Sequence, residues 1–200
     1  MPTRIDPESR RKHVVDAALR LVVEDGIAAV TLRRVAAAAQ LNIGSVRHFF
    51  DGHDDLLAAT AERAGERMGA RLDAHPATAL QGLAGEDAAD ALQQLVEEVL
   101  PVDDERRDEA IVILELIVAS RTNPIFKPVA ERMADDLHNV LTDALAALGI
   151  ARPDGAAGQL AAMIGGLTVD AVTPHGALDA DRLRSSLRTM IRALLTQEHS

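Results

Sequence analysis

Apolar residues recur at intervals of three and four along most of the chain, and no stretch alternates apolar with polar residues for long enough to predict a strand. Val14, Ala17, Ala18, Leu21 and Val22 form one stripe of a first helix, which Gly26 should end. Thr31 is expected to cap a short helix from Leu32 to Ala39, because its hydroxyl can accept from the free amides of the first turn. Gln40-Leu41-Asn42 then separates this helix from a second short one, Ile43 to Phe49, capped by Asn42. Asp51-Gly52 breaks the chain again, and a longer helix should run from about Asp54 to Asp73.

His75-Pro76 with Gly82 and Gly85 reads as a connection, after which apolar spacing resumes at Ala88, Leu92, Leu95, Val96 and Val99 and Pro101 closes the helix. The apolar run from Ala110 to Ala119 is interrupted by Glu115 and is far shorter than the roughly 20 residues a bilayer needs, so it reads as a buried helix. Asn123-Pro124 resembles a cap followed by proline at the first helical position, and Gly149 should stop the helix that carries Leu137, Leu141, Leu145 and Leu148. Two more helices are expected, from about Asp154 to Val172 and after Asp179. The expected fold is all-α with about nine helices, a three-helix head over residues 1–57 and a larger helical domain over 58–200.

At 48% hydrophobic content, 200 residues can build a real core. The absence of cysteine removes disulfides, thiolate nucleophiles and cysteine metal sites. A net charge of −10 argues against a nucleic-acid partner only until its distribution is read. Residues 1–50 hold eight basic side chains against five acidic ones, a balance of +3, so the remainder carries −13. A weakly basic head on an acidic body suits a protein that offers one end to a polyanion. The basic N-terminal residues Arg4, Arg10, Arg11 and Lys12 lead into an amphipathic stretch rather than a signal peptide, so a cytoplasmic protein with no membrane association is expected. These four side chains read either as a loose tail or as an arm that gains order on phosphates.

Two short helices joined by a three-residue turn and braced by a longer helix form a helix-turn-helix, whose second short helix enters the major groove. Val35, Ala36, Ala39, Leu41 and Val46 would pack the pair, leaving Ser45, Arg47 and His48 outside to reach bases or phosphates. The run Thr31-Leu32-Arg33-Arg34-Val35-Ala36 through Asn42-Ile43-Gly44-Ser45-Val46-Arg47-His48-Phe49-Phe50, followed by Asp54-Asp55-Leu56-Leu57, resembles the DNA-binding domain of TetR-family repressors. Gly26, Thr31, Val35-Ala36, Gly44 and Phe50 occupy the family's positions over residues 8–57. Ile164 to Ala171, with Leu178-Asp179-Ala180-Asp181-Arg182, is similar to the BetI-type regulatory domain of that family. The resemblance implies a ligand-responsive repressor, not an enzyme and without a cofactor or metal, that binds double-stranded DNA at an inverted repeat through Thr31, Arg33, Arg34, Asn42, Ile43, Gly44, Ser45, Arg47, His48 and His53. Phe50 is expected in the core, while His48 and Phe49 either pack on the following helix or reach DNA.

Three positions depart from the family pattern. Gln40 stands where glycine is usual, so this turn should either be strained or differ slightly. Arg47 replaces a tyrosine that commonly meets phosphate, and arginine can fork onto phosphate or guanine. His53 replaces a lysine; if it meets a phosphate, binding should strengthen modestly below about pH 6.5.

One recognition helix reads few base pairs, so two heads should pair across a two-fold axis. The resemblance puts that homodimer contact on the last two helices, where Leu183, Leu187, Met190, Ile191 and Leu194 form a stripe and Ala162, Gly165, Gly166 and Ala171 allow close approach. Ordinary intramolecular packing would produce the same stripe. The family's C-terminal domain commonly holds a small-molecule effector. With Phe126 the only aromatic beyond the head, an aliphatic pocket is expected, with Glu115, Phe126, His138 and Asp170 as candidate ligand residues. A metalloenzyme built on a helical bundle is the competing class, from the single carboxylate-x-x-His unit at Asp135-Asp136-Leu137-His138; a helical adaptor without DNA affinity is a third.

Overall fold

The computed structural model describes residues 6–176 and 178–197, the last of these by its backbone alone, and Arg4 lies outside the described residues. Among them are nine α-helices and no strand: α1 Pro7–Asp25, α2 Leu32–Ala38, α3 Ile43–Phe49, α4 His53–Leu72, α5 Gly85–Glu97, α6 Asp104–Ser120, α7 Lys127–Ala147, α8 Pro153–Val172 and α9 Ala180–Gln197. Asp6 starts α1 by accepting from Ser9 N–H at 3.3 Å, with Pro7 in the first turn, where its missing amide hydrogen costs nothing. Arg10, Arg11 and Lys12 are therefore helical, which corrects their reading as a tail.

Chain contacts group into two units, Met1–Glu66 with Ile111–Ala130 and Arg67–Ala110 with Glu131–Ser200, whose boundaries fall inside α4, α6 and α7. In the first unit, Val14, Ala18 and Val22 of α1, Val35 and Ala36 of α2, Val46 of α3, Phe50, Leu56 of α4 and Leu116 of α6 are buried. Thr60, fully buried, donates its hydroxyl hydrogen to Leu56 O at 2.7 Å, so no polar group is stranded there. The apolar run in α6 is only partly covered, because Ile117 and Val118 remain 50% and 60% exposed. Their exposure corrects the expectation of a wholly buried helix.

Two helices end in the same way with different residues. At the end of α2, Leu41 N–H donates to Ala36 O and Gln40 N–H to Ala37 O; at the end of α7, Ile150 N–H donates to Leu145 O and Gly149 N–H to Ala146 O. Both are Schellman closures, which require a left-handed residue, and Gly149 supplies it at φ 79° while Gln40 is forced there at φ 56°. The turn is thus the strained alternative of the two anticipated. Gln40→Gly removes a penalty of about 1–2 kcal/mol but returns about 0.4–1 kcal/mol of unfolded-chain entropy. A thermal midpoint higher by roughly 2–4 °C is expected; an unchanged or lower one would show that the turn stores no strain.

In the second unit, α9 packs on α5 and α8. Leu183, Leu187, Ile191 and Leu194 are buried within the single chain, and Ala171 of α8 is buried as well. The proposed interface stripe is therefore intramolecular core, with Met190 its one exposed member at 37%. Arg184, Arg188 and Arg192 line the α5 side of α9 and pair with Glu97, Glu86 and Asp90. Exposed instead are Gly158, Ala162, Gly165 and Gly166 on α8 and Ser185, Thr189, Met190 and Ala193 on α9. Buried Glu109 is paired with Arg71. Near it, burial pushes the Glu98 carboxyl up, but the hydrogen bond and charge of Arg106, with those of His75, hold it below the usual carboxylate range. Asn123 begins a turn by accepting from Ile125 N–H at 3.1 Å, and α7 starts only at Lys127, so Pro124 precedes the helix instead of opening it.

Candidate nucleic-acid interface

The head is assembled from local rules. Thr31 Oγ1 accepts from Arg34 N–H at 3.2 Å and starts α2. Asn42 Oδ1 starts α3 by accepting from Ser45 N–H at 2.8 Å and from the Ser45 hydroxyl at 3.2 Å. A side-chain carbon added to Gly44 would lie 3.2 Å from that same Asn42 oxygen, so glycine keeps the cap uncrowded. Between the helices, His13 Nε2 lies 3.0 Å from Ala39 O, so the ring of α1 holds the end of α2 as the donor of this hydrogen bond. Val35, Ala36 and Ala39 from one side and Val46 from the other are buried where the pair closes.

The ten candidate DNA residues all lie in the first unit, and Thr31, Arg33, Arg34, Asn42, Ile43, Gly44, Arg47, His48 and His53 are exposed. Ser45 is half-buried. The two neighbouring arginines of α2 differ: Arg34 pairs with Asp25 at the end of α1, whereas Arg33 makes no ion pair among the described residues. On α3, Arg47 also makes none, and Ile43 leaves 40% of its surface in solvent at the helix start. His48 meets the Phe49 ring edge-on, with centroids 5.3 Å apart and planes at 70°, and its ring stays exposed. The surface therefore offers two guanidiniums outside any ion pair among the described residues, two imidazoles, two hydroxyls, an amide and an apolar tip. Those groups can hydrogen-bond base edges and phosphates and touch a thymine methyl.

The four candidate ligand residues divide between the two units. Glu115 and Phe126 belong to the first unit, His138 and Asp170 to the second. Glu115 accepts from Ile27 N–H at 3.1 Å, Phe126 is buried, and half-buried His138 meets Asp154 at 2.8 Å. The backbone of Asp170 accepts from Leu178 N–H, and Gly176 sits against it so closely that an added side-chain carbon would lie 2.4 Å from Asp170 Cβ. No group of His, Asp and Glu able to hold a metal occurs among the described residues. A groove of about 460 Å³ in the second unit is lined by Leu83, Ala88, Ala89, Leu148, Leu195 and Arg192, and by none of the four candidates.

The partners of several supporting residues carried no sequence signal. His13 and Asp25 act across 26 and 9 residues, and Glu115 across 88, so neither caps nor periodicity could pair them. Arg11 covers the Phe50 ring, with its guanidinium carbon 4.9 Å from the ring centre.

The chain matches the family model for bacterial regulatory proteins of the tetR family over residues 14–60, and the one for the C-terminal domain of BetI-type transcriptional repressors over 88–196. It is 30% identical over 176 residues to the transcriptional regulator BetI of Burkholderia cenocepacia, covering 86% of this chain and 87% of that one. A crystal structure of a transcriptional regulator from Rhodococcus sp. Rha1 superposes with a TM-score of 0.82 at 24% identity, covering 95% of this chain and 98% of that one, a likeness of fold. The multidrug binding protein EbrR complexed with ethidium is similar at 30% identity and a TM-score of 0.64, covering 93% of this chain and 99% of that one.

Proposed function

The chain belongs to the TetR family of DNA-binding transcriptional regulators, and we propose that it is a cytoplasmic, ligand-responsive repressor that binds an inverted-repeat operator as a homodimer. The observation that carries this reading is α3, which is capped by Asn42, anchored by buried Val46, and presents Ile43, Arg47 and His48 outward. Residues 1–57 serve as the DNA-binding domain and 58–200 as the effector and dimerisation domain. Within the head, Arg33 and Arg47 are the primary contacts. Arg34 must exchange Asp25 for a phosphate, so its net gain is smaller. Thr31, Asn42 and Ser45 add polar contacts from positions they already hold as caps.

The dimer forms through the outer faces of α8 and α9. Four glycines in α8, each costing about 0.5–1 kcal/mol against alanine inside a helix, have open space where a side chain would go. Close approach of a second copy gives them a reason. The window of α8 with mean hydropathy 1.2 meets the length and composition of a membrane span, but its small exposed residues suit helix contact.

The effector is aliphatic. EbrR takes the flat aromatic cation ethidium, whereas residues 58–200 of this chain contain one aromatic side chain, Phe126, and it is buried. Occupation by such a ligand would favour one spacing of the two heads and shift the DNA-binding population.

Selection from a random DNA pool with the purified protein tests the whole reading: an inverted repeat should be recovered. Failure with folded, dimeric protein would remove DNA recognition. On the recovered sequence, Arg47→Ala should weaken binding by roughly 1–3 kcal/mol if the side chain meets a base. An equal loss on every sequence would assign Arg47 to the backbone.

A further inference from the structure

The carboxylate of Glu115 is the one acidic group in the apolar stretch of α6, and it is turned toward the head. Its Oε2 accepts from Ile27 N–H at 3.1 Å and lies 3.5 Å from the position a side chain on Gly26 would occupy. Gly26 and Ile27 form the bend between α1 and α2: Gly26 has φ 80°, ends α1 through its own N–H on Val22 O, and starts the short 3-10 turn Ile27–Ala29. That turn has no side-chain cap of its own, so Glu115, 88 residues away, supplies the acceptor that local sequence does not. Two residues after the turn stands Thr31, the cap of α2.

We propose that Glu115 is a positioning residue for DNA binding, fixing the bend from which α2 and α3 are hung while touching no DNA itself. This rests on the reading of the head as a DNA-binding domain. The bend is short and its glycine is free to adopt other conformations, so losing the acceptor spreads the head over several orientations of α2. Affinity then falls by the fraction of molecules that keep the competent one. A carboxylate acceptor makes a stronger bond to an amide than a neutral oxygen does, yet acceptance is what the position needs.

The experiment compares Glu115→Ala, Glu115→Asp and Glu115→Gln with the unaltered protein on DNA recovered by selection, well below the thermal midpoint of each. Hydrogen exchange at the Ile27 amide is followed in parallel. Glu115→Ala and Glu115→Asp, the latter a methylene too short, should weaken binding roughly tenfold and speed Ile27 exchange, with helicity unchanged. Glu115→Gln keeps an oxygen at the same reach and should bind within about threefold of the unaltered protein. A purely structural role would lower the midpoint in these variants and leave affinity alone. Full affinity in folded Glu115→Ala overturns the proposal, as does a Glu115→Gln variant that folds but binds as poorly as Glu115→Ala. If the unaltered protein selects no DNA, the reading of the head fails and the proposal with it, an outcome distinct from the other two.

Discussion

Gly165→Arg is expected to leave each chain folded, to convert the dimer to monomer and to weaken operator binding at least about 100-fold. The single chain gives no reason for harm. Gly165 is exposed in the middle of α8, no atom lies within 4 Å of where its side chain would begin, and glycine there is the least favourable choice short of proline. A two-fold interface through this face would bring the new side chain against its own copy, with bulk where small residues must meet and like charges facing each other. A lone head then reads one half-site, and the affinity gained by joining two binding events on one molecule disappears. Sedimentation equilibrium gives the oligomeric state, and titration of the selected DNA gives the affinity. A variant that stays dimeric and binds normally would place the dimer contact elsewhere.

Glycine in that helix also bears on where the proposed interface lies. Periodicity identifies an apolar stripe but not the body it packs against, and Leu183, Leu187 and Ile191 find α5 and α8 within their own chain. The complementary clue was compositional: small residues on the opposite face of an element that has no local need for them. The head was far more legible, because its determinants are local. Thr31 and Asn42 cap helices three residues from their partners, Gly26 and Gln40 mark bends by their own conformations, and Val46 follows from spacing. What stayed hidden depends on contacts between distant segments: His13 on Ala39, Arg11 over Phe50 and Glu115 on Ile27. Glu115 is the instructive case. An acidic residue in an apolar run suits either a pocket lining or a satisfied core position, and the backbone amide that Glu115 accepts from lies 88 residues away. The start of α7 differs from the sequence expectation for a related reason: Asn123 can cap a helix or start a turn, and its amide partner selects the turn.

Phe50→Ala should have the opposite consequences to Gly165→Arg, removing the head while sparing the dimer. Phe50 is 1% exposed, directly follows α3, and is covered on one face by the Arg11 guanidinium of α1. Truncating a buried phenylalanine costs about 3–5 kcal/mol, the transfer of the ring plus the cavity it leaves. Set against the total of about 5–15 kcal/mol typical of a folded domain, that loss is large enough to populate an opened head at ambient temperature. The contact with Arg11 is a small part of it: Arg11→Ala should cost about 0.5–1 kcal/mol, because one face of the cation remains in water. Urea unfolding followed by helicity should therefore shift far more for Phe50→Ala than for Arg11→Ala, and operator binding should be lost with the dimer retained in sedimentation. An unchanged unfolding curve with normal DNA binding would mean that the head does not depend on this ring. The crossed outcome matters more than either result alone. If Gly165→Arg gives folded heads that do not pair, and Phe50→Ala gives pairs without working heads, then recognition and dimerisation reside on separate faces and operator affinity requires both.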